Sequence, residues 1–317
     1  MVLIVAPPPS TTGGGGGTGG GTGDGGGVTV ASATAPIVFQ VSLTGGDGSY
    51  WDLSNGPARL LTGVQAFAAP DVTHFWQTSP VVDGSRWDGM RTGSTDNILP
   101  VAITAPDWQT WRDTDAAFFR AIHPGNEVAL TVTAPDGTSR TKMMRFVSGG
   151  GVEGMDPLTQ GFASYLLEFT AANPYWRGDD VSVTYSAADP VPFFPGPPFY
   201  INGNATSTAT IANPGDEPAW PRYIISGAAS SWSVGVGAAL VSSNTAVADR
   251  QLVVVDTNPD ELTVMDGNGN DVYESLANDS FAAIPAGARV PLSLELDTPG
   301  VNAEVTVEFT PLYRRPW

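Results

Sequence analysis

Apolar and polar residues alternate with a period of two along much of this chain. In 290–296, Leu292, Leu294 and Leu296 are separated by Ser293 and Glu295. In 303–309, Val305, Val307 and Phe309 are separated by Glu304, Thr306 and Glu308 in the same way. Such alternation puts one face in a core and the other in water, and it predicts antiparallel strands. Shorter apolar runs at 208–211, 222–225, 252–255 and 261–265 predict four more strands, each bounded by turn residues. Six or more short strands in so few residues predict an antiparallel sandwich over 201–317.

The pattern is also mostly strand upstream. Residues 38–43 lead into a Gly-rich turn at 45–48. Runs at 127–132 and 142–147 flank Ala134, Pro135, Asp136 and Gly137, whose chemistry is that of a hairpin turn. A strand at 165–169 is stopped by Asn173 and Pro174. One segment breaks the rule. In 107–122, Trp108, Trp111, Phe118, Phe119 and Ile122 fall on one stripe at a 3.6 period, which predicts a helix with its aromatic stripe in the core. Asp107 is placed to cap its start, and His123, Pro124 and Gly125 to end it.

Two low-complexity stretches divide the chain. Residues 13–27 contain 12 glycines in 15 positions. Such a segment has little to bury and much entropy to lose, so it is expected to be disordered on its own. The apolar residues ahead of it, Val2, Leu3, Ile4 and Val5, are candidate intersubunit contacts, able to dock on a neighbouring subunit as a short added strand. They lack a preceding basic region and run into three prolines, so they are not read as a signal peptide. Five prolines lie between 189 and 199, a semi-rigid connector. The expected organisation is an arm at 1–27, a β domain at 28–186, a connector at 187–200 and a β-sandwich at 201–317.

Composition removes whole classes of chemistry. The 317 residues include no cysteine and two histidines, His74 and His123. Disulfides, thiolate metal sites and cysteine nucleophiles are excluded, and so is a His-rich metal site within one chain. Fourteen basic residues against 32 acidic ones give a formal charge of −18. A chain this acidic is a poor partner for nucleic acid phosphates or an anionic membrane, and no apolar run is long enough to span a bilayer. Neither histidine sits in a Ser/His/Asp pattern, and no Gly-x-Ser-x-Gly elbow occurs. The loop from Asp266 to Asp271 imitates the start of a calcium loop. It has Asp271 where the pattern needs Gly and Ala277 where it needs Glu, so it reads as a hairpin turn. Asn204 and Asn278 head glycosylation sequons that matter only in a secretory pathway. No metal or cofactor is expected.

Five segments, in chain order, resemble the distal tail protein family of siphophages. They are Gly48 to Leu53 with Leu60 to Gly63, the 107–124 helix with Trp111 and Arg112 followed by 127–132, and Leu167 to Trp176 with its Asn-Pro element. The fourth is Asn213 to Pro221 with Ile224 to Gly227, and the fifth is Phe281 to Gly287 with 306–313. The resemblance covers about 36–317. Residues 71–97, the arm and the connector match nothing in it. It implies a β-barrel-like, ring-forming N-terminal domain with one α-helix, then a galectin-like antiparallel β-sandwich. It implies a non-enzymatic structural virion protein at the distal end of the tail, assembled in the host cytoplasm as a homohexameric ring. The implied partners are the tail tube protein, the tail hub or tail-tip protein and the tape measure protein. It does not imply sugar binding, since a fold does not carry a function. The sandwich as a carbohydrate-binding module, and a glycan hydrolase using two of the many carboxylates, stand as alternative readings.

Overall fold

The computed structural model describes residues 39–149, 161–186, 209–300 and 302–317. These form two compact units that do not follow chain order. The first contains 39–66, 96–138, 143–149 and 161–170; the second contains 67–95, 139–142, 171–186, 209–300 and 302–317. The expected arm, with Val2, Leu3, Ile4 and Val5, and the Pro-rich connector lie outside the described residues.

The first unit is built on an antiparallel sheet in the order Tyr50–Asp52, Gln40–Thr44, Glu127–Thr133, Ser139–Gly149, Phe162–Ala171, Thr95–Thr104, Ala58–Leu60. Its ends nearly meet: the Leu60 N–H donates to the Leu53 carbonyl at 2.8 Å, so the sheet is almost closed into a barrel. Closure of this kind hides edges that would otherwise be open to other chains. Alternation decides what faces inward. Val128, Leu130 and Val132 are buried between exposed or half-exposed neighbours, as are Ala163, Tyr165, Leu167 and Phe169. Each fully buried residue of this size contributes roughly 1.5–3 kcal/mol. The hairpin turn forms as its chemistry demands. Gly137 has φ +90°, a value that side chains rarely adopt, and Asp136 Oδ1 accepts from both the N–H and the hydroxyl of Thr138.

The single α-helix among the described residues is Trp108–Ala121. Asp107 caps it, Oδ1 accepting from the Gln109 and Thr110 N–H groups at 3.0 and 2.9 Å. These bonds satisfy donors that have no partner within the helix. The stripe packs Trp111, Phe118 and Ile122 into the unit, and Phe118 meets Trp51 edge-to-face at 5.2 Å. Trp108 departs from the expected stripe. It stands in the first turn, exposed, with the Arg112 guanidinium 5.5 Å from its ring. A residue on the helix's opening turn can point past the sheet, and the guanidinium face covers it instead.

The second unit contains two five-stranded antiparallel sheets. One runs Val181–Ser186, Glu304–Phe309, Arg222–Ser226, Leu252–Asp256, Thr263–Asp266; the other runs Thr210–Ala212, Arg289–Asp297, Ser231–Val236, Ala239–Ser243, Leu276–Asp279. Tyr223, Ile225, Val305 and Val307 from the first share one buried cluster with Trp232, Val234, Leu292 and Leu294 from the second. Two sheets closing on one core make a β-sandwich. Val181–Ser186, which precedes the connector in sequence, pairs along its whole length with Glu304–Phe309. Gly235 lets two strands approach closely: a Cβ there would lie 1.9 Å from the Ala239 carbonyl oxygen. Asn213 is buried and ties its own turn to a distant segment, donating to the Glu217 and Ile284 carbonyls while accepting from the Gly215 N–H. The remaining element is a hairpin, Val72–Thr78 with Ser85–Thr92, which pairs with no other strand among the described residues.

Candidate functional site

The residues picked out for chemistry do not converge. His123 is exposed at the helix end, where its Nδ1 accepts from the Gly125 N–H at 3.1 Å. His74 lies on the isolated hairpin, where its Nδ1 accepts from Trp87 Nε1–H at 3.2 Å. In the loop from Asp266, the carboxylate is taken up by its own chain. Oδ1 accepts from the Asn268 and Asn270 N–H groups at 2.9 and 2.8 Å, and Oδ2 from the Asn270 side-chain amide at 2.9 Å. The side-chain and backbone bonds from Asn270 hold this carboxyl below the usual carboxylate range. Met265 bridges to Asp271 across the turn, so the loop is a hairpin turn as its sequence implies. Among the described residues no group of three or more His, Asp or Glu is placed to hold a metal ion, and no helix is long and apolar enough to cross a membrane.

Two polar sites inside the units bear on stability. In the first unit the Tyr165 hydroxyl donates to Asp115 Oδ1 at 2.5 Å. Burial raises the Asp115 carboxyl above its ordinary value, and it raises the Tyr165 hydroxyl further, with the neighbouring carboxylate adding to the effect. In the second unit Lys142, the chain's single lysine, is 1% exposed with its ammonium 5.7 Å from the Trp176 ring centre. A cation over an aromatic face favours the proton, whereas burial disfavours it. Burial wins, and the pKa is pushed down to about 8.

Two surfaces of the second unit stand out, and sequence reasoning identified neither. The first is a groove of about 930 Å³ lined by Tyr175, Trp220, Arg177 and Arg222, with Asp180, Asp256, Asp260, Glu261 and Glu308 among its carboxylates. Glu217 at its edge is paired with Arg314 at 2.5 Å. The lining comes from five separated segments, which is why no local motif marks it. The second surface is the hairpin. Six of the fourteen exposed large apolar side chains of the described residues lie in it: Phe75, Trp76, Val81, Val82, Trp87 and Met90. Its signal was in the sequence, as an aromatic-rich stretch at 71–97 that matched no known element. A shift of register between Phe75 and Trp76 breaks the alternation and hides the strands.

No sequence-defined family matches the chain, and no characterised protein matches it by sequence. Solved structures do match by shape. The crystal structure of the phage SPP1 Dit (gp 19.1) protein, described as a paradigm of the hub adsorption apparatus in phages infecting Gram-positive bacteria, is 16% identical. The alignment covers 87% of this chain and 99% of that one, with a TM-score of 0.60. The chain has the Dit fold. A second likeness is to the phage P2 baseplate in its activated conformation with Ca, at 11% identity, 86% and 98% coverage and a TM-score of 0.51. The resemblance to distal tail proteins carried by the five sequence segments therefore agrees with the Dit fold: a barrel-like sheet with one helix, and a β-sandwich.

Proposed function

We propose that this chain is a structural component of a phage tail: a distal tail ring protein that joins the tail tube to the tail tip or baseplate. The observation that carries this reading is the likeness to SPP1 Dit over nearly the whole of both chains. The ring is a homohexamer, its partners are the tail tube protein, the tail hub or tail-tip protein and the tape measure protein, and its place is the distal end of the virion tail. Its role is structural rather than catalytic, and it is assembled in the host cytoplasm. Head-to-tail contacts that close on themselves produce such rings without any pocket. Val2, Leu3, Ile4 and Val5, on the Gly-rich arm, dock on a neighbouring tail component as an added strand.

Labelling the chain in intact virions and imaging them by electron microscopy tests the reading. Density or label at the distal end of the tail, with sixfold symmetry, is the expected result. Label on the capsid, or tails that assemble normally without the chain, overturns it. Deleting residues 1–27 tests the arm, because incorporation into tails at full efficiency would show that it makes no needed contact.

A second reading draws on the groove. Aromatic rings beside carboxylates and guanidinium groups are the chemistry of saccharide recognition, so the sandwich as a carbohydrate-binding module keeps one supporting observation. Glycan-array binding by the full chain, abolished by Trp220→Ala, is the outcome that would favour it.

A further inference from the structure

Inside the groove of the second unit, charges that could pair do not. One wall is a row of side chains on four neighbouring strands: Ser182 stands opposite Glu308, Glu308 opposite Arg222, and Arg222 opposite Asp256. The next residue, Tyr223, is buried in the core, so this row faces outward. Opposite charges facing each other across strands ordinarily attract into pairs. Yet Arg222 forms no ion pair among the described residues, and neither does Arg177, the other guanidinium of the lining.

The rim is set in advance. Asp256 Oδ1 accepts from the Asn258 N–H at 3.0 Å, and Asn258 Oδ1 from the Asp260 N–H at 3.3 Å. Between them the buried Thr257 hydroxyl donates to the Pro221 carbonyl at 2.5 Å. This turn holds Asp260 and Glu261 exposed at the groove, their carboxylates without a partner among the described residues. A rim already ordered loses little freedom when a ligand arrives.

Charge selects the occupant. Six carboxylates and two guanidinium groups line the groove. Arg314 neutralises Glu217, which leaves five against two, a local excess of three negative charges. An anionic ligand is repelled, and a neutral saccharide leaves that excess unanswered. A guanidinium answers it, because it can lie on the half-buried Trp220 or Tyr175 ring while its N–H groups reach a carboxylate. Arg177 and Arg222 call in turn for oxygen acceptors. An extended polypeptide bears both, cationic side chains and a backbone carbonyl at each residue. A lone small cation bears only the first and fills little of about 930 Å³.

We propose that this groove docks an extended, arginine-bearing segment of a partner protein, whose guanidinium groups meet the five unneutralised carboxylates and the Trp220 and Tyr175 rings. The proposal goes beyond the tail-ring reading, since it needs no contact between copies of the chain.

Isothermal titration of the full chain with a synthetic peptide of alternating proline and arginine, about ten residues long, tests it. Proline keeps such a peptide extended. The same peptide with glutamate in place of arginine is the charge-reversed probe. Two groove variants are compared, Trp220→Ala and the pair Asp260→Asn with Glu261→Gln. Asp260 and Glu261 already stand in water, so the second variant keeps its fold. Glu274→Gln with Glu295→Gln removes the same charge from exposed residues outside the groove. Wild type is expected to bind the arginine peptide and not the glutamate peptide. Each groove variant should weaken binding at least about tenfold, the scale of losing one interface anchor, and the distant pair should change it less than about twofold. The proposal is overturned by a wild type that binds neither peptide, or both alike. It is also overturned if the distant pair weakens binding as much as the groove pair, because the attraction would then belong to the whole acidic surface. Glycan binding lost on Trp220→Ala, with no binding of the arginine peptide, overturns it in favour of the saccharide reading.

Discussion

The sandwich and the 72–92 hairpin are made of the same material, antiparallel strands rich in Val and aromatic residues, and the same unit contains both. In the sandwich most strands bury one face, and side chains such as Ile225, Val234 and Val307 lose all contact with water. In the hairpin, residues of the same types stay about half exposed. Strand pairing alone is therefore not what stabilises β structure here. The decisive difference is whether a second layer exists to receive the apolar face. Where the chain supplies that layer the result is a core, and where it does not the result is an exposed apolar surface.

The largest test of this contrast is in the sandwich. Ile225→Ala should lower the unfolding free energy by about 2–5 kcal/mol in denaturant titrations, the range for deleting a fully buried aliphatic side chain. Gly235→Ala should cost less, about 1–3 kcal/mol, because the new Cβ meets the Ala239 carbonyl and the strands must part. Lys142 sharpens the picture of the unit's interior through pH. Its folded pKa is depressed, so the unfolded chain binds the extra proton between about 8 and the ordinary 10.5. Stability should rise as pH increases through that window, and it should carry the full charge-burial cost below it. Thermal unfolding of Lys142→Met should lack this rise, and its difference from wild type should be widest below pH 8. The smallest effect belongs to the hairpin: Val81→Ala, measured at a dilution where only monomer is present, should change stability by no more than about 0.5 kcal/mol. A cost comparable to that of Ile225→Ala would mean that the tip is packed within its own chain, and the contrast would fail.

The contrast also explains what could be read from the sequence. The alternation of Leu292, Leu294 and Leu296 and of Val305, Val307 and Phe309 was legible because each run has one buried face, and the structure places all six in the core. The Asp107 cap and the turn at Gly137 were legible because their chemistry is local. Ser231–Val236 and Ala239–Ser243, which pair with each other as a hairpin, were missed: serines and an interior glycine mask their alternation. Trp108 was placed in the core by periodicity, which counts residues but does not know where the sheet ends. The 72–92 hairpin escaped because its apolar residues have no inside to point toward, so no periodicity within one chain describes them. The groove escaped because its lining is assembled only by the fold.

The position of Lys142 has a practical consequence for anyone handling the protein. Amine-directed reagents, such as those used to attach dyes, cross-linkers or surfaces, find a single lysine in 317 residues, and it is buried. Apart from the α-amine, the natively folded chain is chemically quiet toward them. Slow appearance of label at Lys142 then times the opening of its surroundings, a built-in clock that needs no engineered residue.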